Sequence, residues 1–417
     1  MYVHSTSKNS SFELKIRSFY RPVLTVYNSK YAKLTDNDME KQNYLSSLTS
    51  LRGLAALLVV LLHFNVFCFA LAPWDGPFDH FIQKGYLWVD FFFLLSGFIM
   101  MHVYSESFNK SISENFFTFM RSRFARIYPL HLFSFLCMVV FYFWYRANFT
   151  LSAADYVYTF NMHTIWANLF LLQSMGLYKI LTWNSPSWSI SVEWWMYVVF
   201  PFLLVPFRKI TGWKRIYIFF GIVAGYLFII YFLYPISALT NGALDPGIKY
   251  SLDVTYDFGF IRCFFGFLFG MLLYELYRVD WGRKYLSKNS VWLLITIIVV
   301  MVMTFSTPDI VPIIAFAAII LASVYAEGFC ELLLSLKPLV YLGTISYSVY
   351  IMHFLLMTFL FDYLKKFSRI KMEGLDWPTA WLYALAYLAI VILISSLTYR
   401  FVEVPLRQKI NRAENKK

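Results

Sequence analysis

Ten stretches of this 417-residue chain are apolar over roughly the length a helix needs to cross a bilayer: 52–72, 86–105, 130–147, 188–207, 215–236, 258–277, 290–306, 309–327, 339–361 and 380–402. About twenty mostly apolar residues span the hydrocarbon, and in lipid the backbone must satisfy its own polar groups. The pattern therefore predicts an all-α polytopic membrane protein with about ten transmembrane helices. Composition agrees. Hydrophobic residues make up 59% and charged residues 14%, against about 45–50% and about 25% in a soluble domain. That excludes an ordinary soluble enzyme, and disorder is excluded because it requires low hydrophobicity. An aromatic content of 21% suits interfacial belts. The segment 164–178 is apolar but short; it is expected to be re-entrant or interfacial, or else an eleventh crossing. No soluble domain of any size separates the spans. The chain is thus expected to comprise a polar, basic extension over 1–50, a transmembrane domain over 51–407 and a short tail over 408–417.

The net charge of +12 is not spread evenly. Arg121, Arg123 and Arg126 precede the third span, Arg208, Lys209 and Lys214 follow the fourth, and Arg278, Arg283, Lys284 and Lys288 follow the sixth. The intervening loops hold little more than Lys84, Lys179 and Lys249. The positive-inside rule then places both termini in the cytoplasm, and the basic balance is read as loop charge rather than as nucleic-acid binding. The loop 362–379, with Lys365, Lys366, Arg369 and Lys371, runs against the pattern. Residues 1–50 have no apolar core and are not a cleaved signal peptide. Cys68, Cys137, Cys263 and Cys330 have neither metal spacing nor a disulfide framework and read as small core hydrophobes.

An ionisable group inside a span costs about 2.5–3.5 kcal/mol on insertion scales and points to function. Five stand out: His63, Asp90, Glu193, Arg262 and His353. Arg52 lies eleven residues before His63, almost three whole helical turns, so the two share a face with a rise of roughly 16 Å between them. That distance is comparable to the reach of a pantetheine arm, and a neutral imidazole is a suitable general base; equally, His63 can serve packing through a hydrogen bond to a neighbouring helix. Asp90 is either chemical or the partner of a cation such as Arg262. Ser96 and Gly97 read as small residues permitting close helix packing. Arg123 and Arg126 converge if their stretch is helical, and their forks suit phosphate; a plain positive-inside anchor is the alternative. Pro129 suits the first turn of a helix. Glu193, flanked by Trp194 and Trp195, is an acid or base, or a group that orients an imidazole. His353 is either structural or functional. The arginines gather at the inner edge, and His63, Asp90, Glu193 and His353 from the midplane outward. Group transfer across the membrane fits this pattern, and so does an ion-coupled transporter or glycan-precursor flippase.

Six strings in order carry a resemblance. They are Leu51-Arg52-Gly53-Leu-Ala55 with His63, Val89-Asp90-Phe-Phe-Phe-Leu-Leu-Ser96-Gly97-Phe98, Arg123-Phe-Ala-Arg126-Ile-Tyr-Pro129, Trp188-Ser-Ile-Ser-Val-Glu193, Gly343-Thr-Ile-Ser346-Tyr347-Ser-Val-Tyr350-Ile-Met-His353 and Phe401-Val-Glu403-Val-Pro405-Leu-Arg407. Together they resemble the acyltransferase-3 family of membrane-bound acyltransferases that modify glycans such as O-antigen and exopolysaccharide, from about residue 48 to 407. The resemblance implies acyl-CoA, most simply acetyl-CoA, as co-substrate with no metal, a glycan or lipid-linked sugar as acceptor, and a bacterial inner membrane. It implies His63 as catalytic base, with Glu193 and His353 also needed. It implies Arg52, Arg123 and Arg126 as donor contacts. Asp90, Trp188 and Arg262, at the outer ends of their spans, are expected to meet the acceptor. Trp88 stands where the family often has a small residue. No hydrolase-like stretch of the SGNH type follows Arg407.

Overall fold

In a computed structural model the described residues are 36–68, 71, 76–108, 112–150, 159–241, 250–367 and 376–412, and among them the regular structure is helical with no strand. The chain divides into two compact units, Met1–Leu45 and Ser46–Lys417. In the first unit only the helical course from Asp36 is described. Most of the basic extension, and residues 368–375 of the loop that runs against the positive-inside pattern, lie outside the described residues.

The principal helices are α1 (Asp36–Phe67), α2 (Trp88–Tyr104), α3 (Ile112–Asn148), α4 (Trp188–Arg208), α5 (Lys214–Phe228), α6 (Gly259–Arg278), α7 (Asn289–Thr304), α8 (Ile310–Val324), α9 (Lys337–Thr344), α10 (Ser346–Phe367), α11 (Trp377–Thr398) and α12 (Val404–Arg412). Among the described residues seven helical segments are long and apolar enough to cross a membrane, and an eighth crossing results if α9 and α10, bent by 64° at their junction, act as one broken span. The chain is a multi-pass integral membrane protein. The two remaining predicted spans form α7 and α8, of 16 and 15 residues, which rise only about 24 Å and about 22 Å against a hydrocarbon core of about 30 Å. Lys84 caps the end of α7. The ammonium donates to the carbonyls of Val302 (3.1 Å), Phe305 (2.8 Å) and Thr307 (2.9 Å), a cation at the negative end of a helix. The segment 164–178 forms a single 3₁₀ turn, the short helix Ile165–Leu169 and turns, not a helix of spanning length.

Pro129 does not begin a helix. It lies inside α3, which runs unbroken from Ile112. Proline removes one backbone donor from the ladder, and membrane helices tolerate this where neighbours re-satisfy the freed groups. The consequence for the site is direct: Arg121, Arg123 and Arg126 stand on a membrane helix, not in a loop before one.

Glycine sets the closest helix approaches. A Cβ at Gly97 on α2 would sit 2.0 Å from the Phe267 carbonyl of α6, and one at Gly270 on α6 would sit 2.0 Å from the Leu94 carbonyl of α2. The small residue expected for packing is thus Gly97. A second approach joins α1 to the end of α9, where a Cβ on Gly343 would lie 1.8 Å from the Thr49 carbonyl. Behind it a buried cluster including Ala56, Val60, Phe64, Val349 and Tyr387 ties α1, α10 and α11 together. Of the four thiols, all free, Cys263 and Cys330 are buried and Cys68 and Cys137 half-buried.

Gly270→Ala is expected to destabilise the protein by about 1–3 kcal/mol through overpacking, seen as a lowered thermal midpoint in detergent. Gly221→Ala on α5, where an added Cβ meets nothing within 4 Å, is the matched control and is expected to leave the midpoint unchanged or slightly raised.

Candidate active site

A cavity of about 150 Å³ opens among α1, α2, α3, α4 and α10. Three arginines expected from the sequence, Arg52, Arg123 and Arg126, line it together with Glu193. The rest of the wall is largely apolar and aromatic, including Phe92, Phe93, Leu95, Tyr347 and Tyr350.

Each guanidinium is held differently. The 64° break between α9 and α10 frees the Gly343 carbonyl from the helical ladder. Arg52 Nη2 donates to it at 2.9 Å and Ser346 Oγ at 2.8 Å. The Gly53–Gly343 approach is what brings Arg52 within reach, since a Cβ at Gly53 would lie 2.5 Å from the Gly343 nitrogen. Arg52 Nε remains buried without a hydrogen-bond partner. Arg123 donates to Tyr104 Oη at 2.7 Å and lies over the Tyr104 ring at 5.0 Å and the Tyr197 ring at 5.9 Å. Arg126 pairs with Glu403 and lies 5.8 Å over the Tyr347 ring. Glu403, 1% exposed, is also 3.6 Å from Arg407 and accepts from Ser348 Oγ at 2.9 Å. Glu403 sits in a π-turn, Tyr399–Glu403, that closes α11. Its signal was present as an acid at the end of the last apolar run, within a string already noted, although no role was assigned to it.

Glu193 accepts from Ser96 Oγ and from Tyr197 Oη, each at 2.6 Å and each on Oε1. Ser96 is therefore a hydrogen-bonding residue rather than a packing one, and Glu193 shares a cavity with the arginines instead of lying apart from them. The partner of each imidazole is the other imidazole: the rings of His63 and His353 stand 4.9 Å apart, tilted by 58°. His63 Nδ1 is 2.8 Å from the Val59 carbonyl and His353 Nδ1 is 2.6 Å from the Tyr350 carbonyl. A carbonyl only accepts, so each Nδ1 carries the proton and each Nε2 the lone pair. His353 is fully buried, and its Nε2 has no hydrogen-bond partner. The pair borders the cavity without lining it, and Tyr350 stands between, its ring 5.9 Å from that of His353.

Asp90, Arg262 and Trp188 come together elsewhere. Arg262 Nη2 is 2.6 Å from Asp90 Oδ2, with both side chains at 0% exposure, and the guanidinium lies 5.4 Å over the Trp188 ring. Arg262 Nη2 also donates to the Tyr86 carbonyl at 2.9 Å. None of the three lines the cavity. Among the described residues no group of His, Cys, Asp and Glu is disposed to hold a metal.

Residues 45–400 match the family model of the acyltransferase domain. The chain belongs to this family, acyltransferase-3. It is 30% identical to the acyltransferase MdmB of Streptomyces mycarofaciens over 392 residues, covering 88% of this chain and 93% of that protein. It is 23% identical to the peptidoglycan O-acetyltransferase OatA of Listeria monocytogenes serovar 1/2a over 398 residues, covering 88% of this chain and 56% of OatA. It is 22% identical to the O-acetyltransferase OatA of Staphylococcus aureus strain NCTC 8325 over 390 residues, covering 89% and 58%. The chain thus spans little more than half the length of the two OatA proteins and nearly all of MdmB. No solved structure gives a significant match.

Breaking the Asp90–Arg262 pair from one side leaves the buried guanidinium with only the half-exposed Asp253, 3.6 Å from Nη1, as counter-charge, and losing a buried partner costs about 3–5 kcal/mol. Asp90→Asn is expected to collapse the yield of folded protein in detergent. The double replacement Asp90→Leu with Arg262→Met is expected to recover it, measured by monodispersity and thermal midpoint.

Proposed function

We propose that the chain is a membrane O-acyltransferase that moves an acetyl group from cytoplasmic acetyl-CoA to a hydroxyl of a cell-surface or secreted glycan, in a bacterial inner membrane. The observation that carries this reading is the single cavity lined by three guanidiniums and bordered by a pair of neutral imidazoles. Guanidinium forks suit the phosphates of a CoA donor, and the apolar wall suits its arm and acyl group. The names of the two OatA relatives support O-acetylation. Arg52, Arg123 and Arg126 serve as donor contacts. Asp90 and Arg262, already satisfied by each other, serve the acceptor side by holding α2 against α6, with Trp188 packed over the guanidinium.

The His63 tautomer fits the chemistry. With Nδ1–H committed to Val59, Nε2 is free to take a proton. The acceptor oxygen attacks the thioester carbon as its proton passes to His63 Nε2. The carbon–sulfur bond then breaks, and the imidazolium returns the proton to the CoA thiolate. Holding donor and acceptor together supplies much of the acceleration, and general-base assistance supplies about 10²–10⁴-fold. Glu193, pinned through Oε1 by Ser96 and Tyr197, provides counter-charge to the arginines. His353, locked against His63, fixes the face that the base presents.

Membranes carrying the wild-type chain, given radiolabelled acetyl-CoA and host glycans, are expected to yield base-labile label in glycan. His63→Ala is expected to lower the rate by at least about 10²-fold while expression holds; wild-type turnover in that variant would falsify the mechanism. Arg123→Ala is expected to raise the KM for acetyl-CoA about ten-fold or more, the loss of one charge-assisted contact, with a smaller change in kcat. An unchanged KM would remove Arg123 from donor binding.

A further inference from the structure

Two touching rings form part of the apolar wall of the cavity. Phe92 on α2 and Tyr350 on α10 both line the cavity, and their centroids lie 5.8 Å apart at 78°. The far side of Tyr350 faces His353 at 5.9 Å. Phe92 packs its far side against the buried cluster of α1, α10 and α11 that contains Val60, Phe64 and Val349. The two rings differ in how they are held. Tyr350 is fixed by its hydroxyl, which lies 2.8 Å from Ser189 Oγ and donates to the Pro186 carbonyl at 3.1 Å. Phe92 has no polar anchor; it is half-buried and bounded only by apolar and ring contacts.

We propose that Phe92, backed by the anchored ring of Tyr350, is the residue that sets the length of acyl chain the protein accepts. The inference rests on the acyl-CoA reading above and adds to it a specificity element. A donor whose phosphates lodge among the arginines lays its acyl end against the apolar part of the lining, where Phe92 and Tyr350 stand. A short acyl group ends against these rings. Each further methylene has to enter space that the Phe92 ring fills, and the anchored tyrosine does not yield it. A misfit of one methylene in such a pocket is worth about ten-fold or more in discrimination.

The test uses the full chain in detergent and three CoA thioethers, S-ethyl-, S-butyl- and S-octyl-CoA, whose binding is measured by calorimetry and needs no acceptor. The wild type is expected to bind S-ethyl-CoA at least about ten-fold more tightly than S-octyl-CoA, and Phe92→Ala is expected to erase that preference. Phe92→Trp is expected to do the reverse, weakening S-butyl-CoA relative to S-ethyl-CoA. The Trp variant decides the matter alone if the Ala variant does not fold. The same chain-length profile in wild type and variants, with S-ethyl-CoA bound throughout, would overturn the role of Phe92 and leave the donor reading standing. A wild type that binds S-octyl-CoA as tightly as S-ethyl-CoA would overturn it too. Failure of the folded wild type to bind S-ethyl-CoA would overturn the donor reading and this inference together.

Discussion

A charged side chain inside hydrocarbon is tolerated only where the protein replaces the water it has lost. That constraint fixes how the helices of this chain meet. Asp90 and Arg262 are the plain case: two fully buried charges at 2.6 Å, with Nε also on Asp90, backbone carbonyls of Val254 and Tyr86 taking other donors and Asp253 3.6 Å from Nη1. Such a pair is weak evidence of added stability, because desolvation offsets most of the attraction. It does dictate that α2 and α6 face each other in one register, and Gly97 and Gly270 let their backbones close to that distance.

The same constraint applied to the cavity gives a different outcome, and the difference marks the site. Arg52 reaches the Gly343 carbonyl that a helix break leaves unbonded, yet its Nε has no partner. Arg126 is neutralised by Glu403, which Arg407 and Ser348 also approach, whereas Arg123 is offered only hydroxyl, thioether and ring partners. The arginines are placed at the expense of full satisfaction. Under the donor reading proposed above, Arg52 Nε and the fork of Arg123 are the donors least spent, and Arg126 adds only what its Nη1 bond to Glu403 leaves.

Much of this was legible in the sequence because it rests on local periodicity. The apolar runs marked the long helices, and the eleven-residue spacing put Arg52 and His63 on one face of a helix that the structure confirms is continuous. What periodicity could not carry was anything set by a partner far along the chain. The cation that caps the end of α7 is Lys84, more than two hundred residues earlier. The continuity of α3 through Pro129 depends on neighbours, which a rule about isolated helices does not see. The exchange of roles between Ser96 and Gly97 is a matter of one residue's rotation about α2: Gly97 faces the α6 backbone, so Ser96 faces Glu193. Glu193 reads from the sequence as an acid or base, or as a group that orients an imidazole. It is held by a hydroxyl ninety-seven positions away and another one turn along its own helix.

The histidine pair shows why two mid-helix imidazoles serve better than one. Each Nδ1–H is spent on a carbonyl one turn back on its own helix, so neither ring can turn over without breaking a bond in a medium that offers no replacement. That commitment settles both tautomers before any substrate arrives and leaves two lone pairs close together, on rings 4.9 Å apart. His63 keeps some exposure, whereas His353 is fully buried. His63 is on the helix that carries Arg52, so the two side chains are spaced by a rigid element rather than by a loop.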